Sequence, residues 1–137
     1  MGASNSFIKT NVFLSSSSTM DTDKLQKLRM KLETMQCNIL THEESSHLLE
    51  ENIESSTVLV LCISSDIIRN YNQLSAYNFA KHQNKKIIYL FTDSNYTYTT
   101  NPELSSVFPP NDSVLYFEEC YLDSTVFNIQ LTLLTCI

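Results

Sequence analysis

A segment rich in histidine and glutamate comes closest in this sequence to a motif that could bind a metal. It reads His42-Glu43-Glu44-Ser45-Ser46-His47. The HExxH helix of zinc enzymes needs two histidines four residues apart, so that both lie on one helix face. His42 and His47 are five apart, and we therefore predict no metal site here. A solvated acidic loop is expected instead.

A run of hydroxyl side chains suggests a second kind of chemistry, phosphate binding. Ser15 to Thr19 would follow a strand, as the FMN phosphate loop of a flavodoxin does. Such loops normally contain glycine, and the chain has only one, Gly2. The same scarcity excludes Rossmann and Walker phosphate loops and the GxSxG nucleophile elbow. Tyr96 and Tyr98 could stack on a ligand, but tyrosines in a polar loop more often pack on that loop.

The position of Gly2 points to lipid attachment. Gly2 and Ser6 fit the N-myristoylation pattern, in which Met1 is removed and Gly2 is acylated. The alternative is that Gly2 is a small residue that only favours removal of Met1. One myristoyl chain binds membranes marginally and reversibly. The pattern therefore predicts peripheral attachment to the cytoplasmic face of a membrane.

Composition and charge bound the class of protein. The chain has 137 residues, of which 42% are hydrophobic and 18% charged, and a net charge of −6. This suits one globular domain and argues against nucleic-acid binding, which needs clustered Lys and Arg. The longest apolar run, residues 58–63, is far shorter than a membrane span. The dispersed cysteines suit reduced, mostly buried thiols in the cytoplasm; they are Cys37, Cys62, Cys120 and Cys136.

Hydrophobic patterning predicts alternating strands and helices. The predicted strands are 11–14, 37–40, 57–63, 86–91 and 114–117. The predicted helices are 21–35, 48–53, 67–82 and 123–134, with one helical turn within 103–108. Residues 58–63 are apolar at every position, which is typical of a parallel strand buried on both faces. The alternation predicts an open α/β sheet with helices on both faces.

Three segments, in this order and spacing, resemble the Toll/interleukin receptor (TIR) domain family. Residues 12–16 (VFLSS) resemble its opening strand, and residues 49–64 its second helix and third strand. Residues 64–80, followed by 85–90, resemble its third helix and fourth strand. The resemblance implies a flavodoxin-like three-layer fold, with a five-stranded parallel sheet flanked by helices. It divides the chain into a flexible N-terminal segment, 1–10, and a TIR-like domain, 11–137.

The sequence departs from the family at two places that matter for function. The loop after the second strand usually carries Arg-Asp and Pro-Gly, but residues 41–47 contain neither proline nor glycine. NAD-cleaving members carry a glutamate on the third helix, four residues before a small residue. If Ala80 is that small residue, Ala76 occupies the glutamate position, and a methyl group cannot accept a proton. We therefore predict no catalytic residue and no cofactor.

The resemblance implies a cytosolic signalling module of innate immunity that assembles with other TIR domains, as a homo- or hetero-oligomer. In the family the loop after the second strand inserts between neighbouring domains, so we expect the interface at His42, Glu43, Glu44, Ser45, Ser46 and His47. Acylated Gly2 would tether the module to a membrane. The leading alternative is a TIR NAD hydrolase, with NAD as substrate and Glu43 or Glu44 as the acid. A flavodoxin-like cofactor protein is the lesser alternative.

Overall fold

The computed structural model of the chain describes residues 10–18, 20–42, 49–110 and 114–117. The described strands are β1 (Thr10–Ser15), β2 (Cys37–Leu40), β3 (Val58–Ile63), β4 (Lys86–Phe91) and β5 (Val114–Tyr116). The helices are α1 (Thr22–Thr34), α2 (Leu49–Glu54), α3 (Tyr71–His82) and α4 (Leu104–Val107), and a 3₁₀ turn covers Ile67–Arg69. The predicted closing helix, 123–134, lies outside the described residues, as does the N-terminal segment apart from Thr10.

The five strands form one parallel sheet in the order β2-β1-β3-β4-β5. In the centre, Val58 of β3 lies between Val12 of β1 and Lys86 of β4. This is the flavodoxin-like strand order, and the predicted fold class is confirmed. Between β2 and β3 the chain crosses from one side of β1 to the other. The crevice outside the carboxyl ends of the strands at such a crossing is where ligands bind in sheets of this kind.

Strand β3 is buried on both faces because its side chains pack in two separate hydrophobic layers. Val58, Val60 and Cys62 pack in the layer that contains Leu28 and Leu32 of α1. The alternate residues pack in the layer under α2 and α3; they are Leu59, Leu61 and Ile63. Successive side chains of a strand point to opposite faces, so an uninterrupted apolar run is what a sheet covered by helices on both sides requires.

The sequence predicts one continuous helix over residues 67–82, but the structure divides this segment into two parts. A 3₁₀ turn ends at Arg69, Asn70 is extended with ψ of 98°, and α3 starts at Tyr71. The Asn70 side chain accepts a hydrogen bond from the backbone N–H of Gln73 at 3.1 Å. Asparagine favours such N-cap positions because its side chain satisfies an unpaired backbone donor of the first turn. The cap therefore restarts the helix and fixes where α3 begins.

Two helix ends use left-handed residues that are not glycine. Gln36 follows α1 with φ of 65°, and Asn84 follows α3 with φ of 58°. Glycine usually occupies this position because a Cβ is disfavoured there, and asparagine is the best-tolerated alternative. Glutamine, unlike asparagine, is not favoured in this conformation, so Gln36 is the more strained of the two. The glycine that a helix end would use is absent from the sequence beyond Gly2, so α1 ends in a locally strained conformation.

Candidate functional site

A cleft of about 440 Å³ opens at the carboxyl ends of β1 and β2, beside the start of α3. Its volume lies within the range of small-molecule sites. The wall is formed by Leu14, Ser16, Ser17, Ser18, Met20, Thr22, Leu25, Arg29, Thr41, His42, Asn70 and Asn72. Among these described lining residues there are hydroxyls, amides, one arginine and one histidine, but no carboxylate. The cleft lies next to the topological crossing of the sheet.

His42 is held at the wall of the cleft by the end of β1. Its Nε2 shares a hydrogen bond of 2.8 Å with the Oγ of Ser15, and its ring meets Phe13 edge-on at 5.1 Å between centroids. Burial lowers the pKa of His42 below its usual 6.5, because the charged imidazolium loses hydration. The ring is therefore neutral at neutral pH. Of the predicted interface segment 42–47 only His42 is described, and Glu43, Glu44, Ser45, Ser46 and His47 lie outside the described residues.

The serines after β1 make contacts within the protein. The Ser17 hydroxyl donates to one oxygen of Asp66, and the Ser64 hydroxyl donates to the other at 3.0 Å. These bonds tie the loop after β1 to the loop after β3. Ser15 and Ser17, two of the proposed phosphate donors, are buried against His42 and Asp66. The hydroxyls of Ser15 and Ser17 therefore already have hydrogen-bond partners within the protein.

Gln73 is a buried polar residue next to the cleft, and the sequence alone did not single it out. It is fully buried, and its Nε2 donates to the backbone oxygens of Ser15 and Cys62, at 3.1 and 3.0 Å. The amide therefore joins the carboxyl ends of β1 and β3 where the chain crosses over. Its Oε1 is buried and has no hydrogen-bond partner among the described residues. The helical spacing could have identified Gln73 as buried, since it shares the buried face of α3 with Ala76, Tyr77 and Ala80.

Ala76 lies one turn further along the same buried face. Its side chain is fully buried in the hydrophobic layer that includes Phe13 and Ile53. The position that the resemblance to TIR domains aligns with the glutamate of NAD-cleaving members therefore has a methyl group in an apolar environment. An ionised carboxylate would be costly there without a partner.

Tyr96 and Tyr98 pack on the protein, which is what tyrosines in a polar loop more often do. The Tyr98 hydroxyl donates to the backbone oxygen of Phe108 at 2.7 Å, and its ring contacts Phe91 with 5.0 Å between centroids. Tyr96 is partly buried against the same hydrophobic layer. Neither ring lines the cleft beside His42.

The described cysteines are structural. Cys37 and Cys62 are buried free thiols, as predicted, while Cys120 and Cys136 lie outside the described residues. Burial raises the pKa of the Cys62 thiol to about 12, so it stays protonated. The described ranges also contain no group of three or more metal-ligating side chains.

The lipid-attachment site, Gly2, lies outside the described residues. Within residues 10–18, 20–42, 49–110 and 114–117, every helix is too short or too polar to traverse a bilayer.

No protein-family model matches the sequence, and neither does any curated protein. Solved structures do match, 27 chains in number. One of them is described as a GCN5-related glucosamine N-acetyltransferase region in a fungal multi-domain GH3 beta-N-acetylglucosaminidase. The match has a TM-score of 0.56 and 14% identity, and covers 91% of this chain but 14% of that one. At this identity the likeness concerns the α/β fold alone.

Proposed function

We propose that this chain is a TIR-like interaction module of innate immune signalling, which assembles with other TIR domains and does not cleave NAD. The proposal rests on the resemblance of residues 12–16, 49–64, 64–80 and 85–90 to that family. The flavodoxin-like strand order is compatible with it. That order also occurs in unrelated proteins, so fold alone carries no function.

The observation that favours an interaction role over catalysis is the environment of Ala76. A TIR hydrolase needs an acid on the third helix to stabilise the ribosyl cation. Here the corresponding side chain is a methyl group, buried among apolar residues. Loss of a positioned acid or charge-stabilising group typically lowers a rate by orders of magnitude.

His42 gives the proposed interface loop a fixed starting point. The bond to Ser15 and the contact with Phe13 hold its ring against the sheet. The acidic residues Glu43 and Glu44 come directly after it in the chain. Loops that start from a rigid scaffold are common places for binding residues, which supports the segment 42–47 as the surface that contacts another domain.

Association of the purified chain with itself and with other TIR domains tests the proposal. Glu43→Lys combined with Glu44→Lys should weaken association by about tenfold or more, because the new lysines would face partner groups that complement the negative charge of glutamate. Glu33→Lys combined with Glu103→Lys is the matched control, since both residues are exposed and the change in net charge is identical. Equal effects of the two pairs, or no association with any TIR domain, would contradict the interface.

Membrane attachment through Gly2 is tested by fractionation. A single acyl chain should leave the monomer in exchange with the cytosol, and clustering should raise membrane retention by about 10²-fold through avidity. Wild type should be partly membrane-bound, Gly2→Ala soluble, and the Glu43→Lys/Glu44→Lys variant intermediate. The same distribution for wild type and Gly2→Ala would rule out acylation.

A TIR NAD hydrolase is the second candidate, and the position of the cleft favours it. The wall residues Thr41 and His42 are followed in the chain by Glu43 and Glu44, the acids that would replace the missing glutamate. An NAD-cleavage assay decides: turnover that disappears in both Glu43→Gln and Glu44→Gln, or in one of them, would establish this candidate. The FMN alternative is weakened because Ser15 and Ser17 already bond His42 and Asp66. A colourless protein after purification would agree with that.

A further inference from the structure

A second pocket, of about 360 Å³, lies at the opposite ends of the strands from the cleft. It lies where α3 ends and β4 begins, at the amino ends of the parallel strands. Its lining residues are Tyr77, Lys81, Asn84, Lys85, Lys86, Ile87 and Tyr89. We call it the lysine pocket. Nothing in the proposed function uses it.

The lysine pocket concentrates positive charge in an acidic protein. Lys81, Lys85 and Lys86 are three of the chain's nine Lys and Arg residues, in a chain whose net charge is −6. Lys81 also lies over the ring of Tyr77, at 5.7 Å from its centroid. A lysine at the end of α3 stabilises the negative end of the helix dipole, which accounts for Lys81. It does not account for the two lysines that follow the helix.

Two buried tyrosines line the same pocket. Tyr77 and Tyr89 are 4% and 3% exposed, and their hydroxyl oxygens are 3.3 Å apart. One hydroxyl donates to the other, so the proton of the second remains to donate to an acceptor. Ammonium groups beside a buried hydroxyl donor are the groups that recognise a carboxylate or a phosphate. The pocket is therefore suited to an anionic group.

An acidic helix lies directly beside the lysine pocket. Glu50, Glu51 and Glu54 of α2 are exposed, and α2 packs against α3. The Lys85 ammonium donates to the backbone oxygen of Glu54 at 2.7 Å, which places the two surfaces side by side. A surface with adjacent patches of opposite charge is self-complementary under two-fold symmetry, because each patch meets its opposite on the second copy.

We propose that the lysine pocket binds the acidic side chains of α2 from a second copy of this chain, in a symmetric dimer. The inference names one surface for the self-assembly that the proposed function includes, and it is separate from the segment 42–47. Charge complementarity mainly gives specificity and fast association. The dimer should therefore be weak and should dissociate as salt rises, since screening shortens the range of exposed charges.

Sedimentation velocity of the full chain, at low and high salt, tests the dimer through charge reversal. Lys81→Glu/Lys86→Glu makes both patches acidic, and Glu50→Lys/Glu51→Lys makes both basic. Each variant alone should associate at least about tenfold more weakly than wild type, because like charges would meet. An equimolar mixture of the two should recover a dimer within about threefold of wild-type affinity, because opposite patches meet again. Lys27→Glu/Lys31→Glu on α1, a pair of exposed lysines, is the matched control and should leave association unchanged.

Tyr77→Phe/Tyr89→Phe tests whether a carboxylate enters the pocket, since it removes the hydroxyls without changing charge. We expect association to weaken by about tenfold, which corresponds to the lower end of the range for a hydrogen bond to a charged group. Circular dichroism establishes that each variant is folded.

Three outcomes would overturn the inference: a wild-type chain that stays monomeric at low salt, charge variants that dimerise like wild type, or a mixture that stays monomeric. Unchanged association of the phenylalanine pair would overturn the placement of a carboxylate at the hydroxyls. The proposed function fails differently. If Glu43→Lys/Glu44→Lys abolishes assembly while the charge-reversed pairs have no effect, the inference is wrong and the interaction module stands.

Discussion

Replacement of Gln73 by leucine tests the junction between β1 and β3, behind the candidate site. Leucine has a similar volume but removes the amide that bonds the backbone oxygens of Ser15 and Cys62. Both oxygens lie in the buried ends of strands, at 3.1 and 3.0 Å from the amide nitrogen. The change should therefore destabilise the fold where β1 and β3 diverge.

The size of the effect follows from two opposing contributions. Each buried acceptor that loses its donor costs about 1–3 kcal/mol. Against this, leucine removes Oε1, which is buried without a partner among the described residues and costs a similar amount in the wild type. Two losses and one gain leave a net destabilisation of about 1–3 kcal/mol in the free energy of unfolding.

Urea denaturation followed by circular dichroism measures this difference. Asn72→Leu is the control, because Asn72 is an exposed neighbour on α3 and its replacement should change stability by less than about 0.5 kcal/mol. Gln73→Glu adds a signature in pH. An ionised carboxylate would face two carbonyl oxygens, so the folded state raises its pKa and the variant should gain stability as pH falls. A Gln73→Leu variant as stable as wild type, or a Gln73→Glu variant insensitive to pH, would refute the reasoning.

Four further measurements follow from the structure. Gln36→Gly should stabilise the fold by about 1 kcal/mol, because glycine removes the left-handed strain at the end of α1, whereas Glu33→Gly inside that helix should destabilise it by about as much; urea midpoints distinguish the two. The lowered pKa of His42 makes the unfolded chain bind the proton first, so stability should fall as pH drops below about 6.5, and His42→Phe should flatten that dependence. Cys62 should resist alkylation by iodoacetamide until the chain unfolds, since its thiol is buried with a pKa of about 12; rapid labelling under native conditions would contradict this. Ala76→Glu should lose about 3 kcal/mol or more of stability without gaining NAD cleavage; a variant that is as stable as wild type and cleaves NAD would contradict both expectations.

Local patterns in the sequence determined most of the described elements and the sheet class. The uninterrupted apolar run 58–63 could only be covered by packing on both faces, and β3 has that environment. The bounds of β2 and β4 follow directly from their apolar stretches. Leu28 and Leu32 fall on the buried face of α1, which the helical spacing predicts. These features depend on residues close in the chain, which is why the sequence is sufficient for them.

Tertiary structure decided everything that depends on pairs of residues far apart in the chain. Gln73 reaches β1 and β3 across 58 and 11 positions, and Ser15 meets His42 across 27; no spacing rule encodes such distances. The break at Asn70 was also hidden, because the apolar period continues through it and only the side-chain cap marks the restart of α3. The lysines at 81–86 were visible as single charges, but the sheet set them beside two buried hydroxyls and an acidic helix. Sequence periodicity records which face of an element is buried, whereas the chemistry of a site arises from which elements the fold brings together.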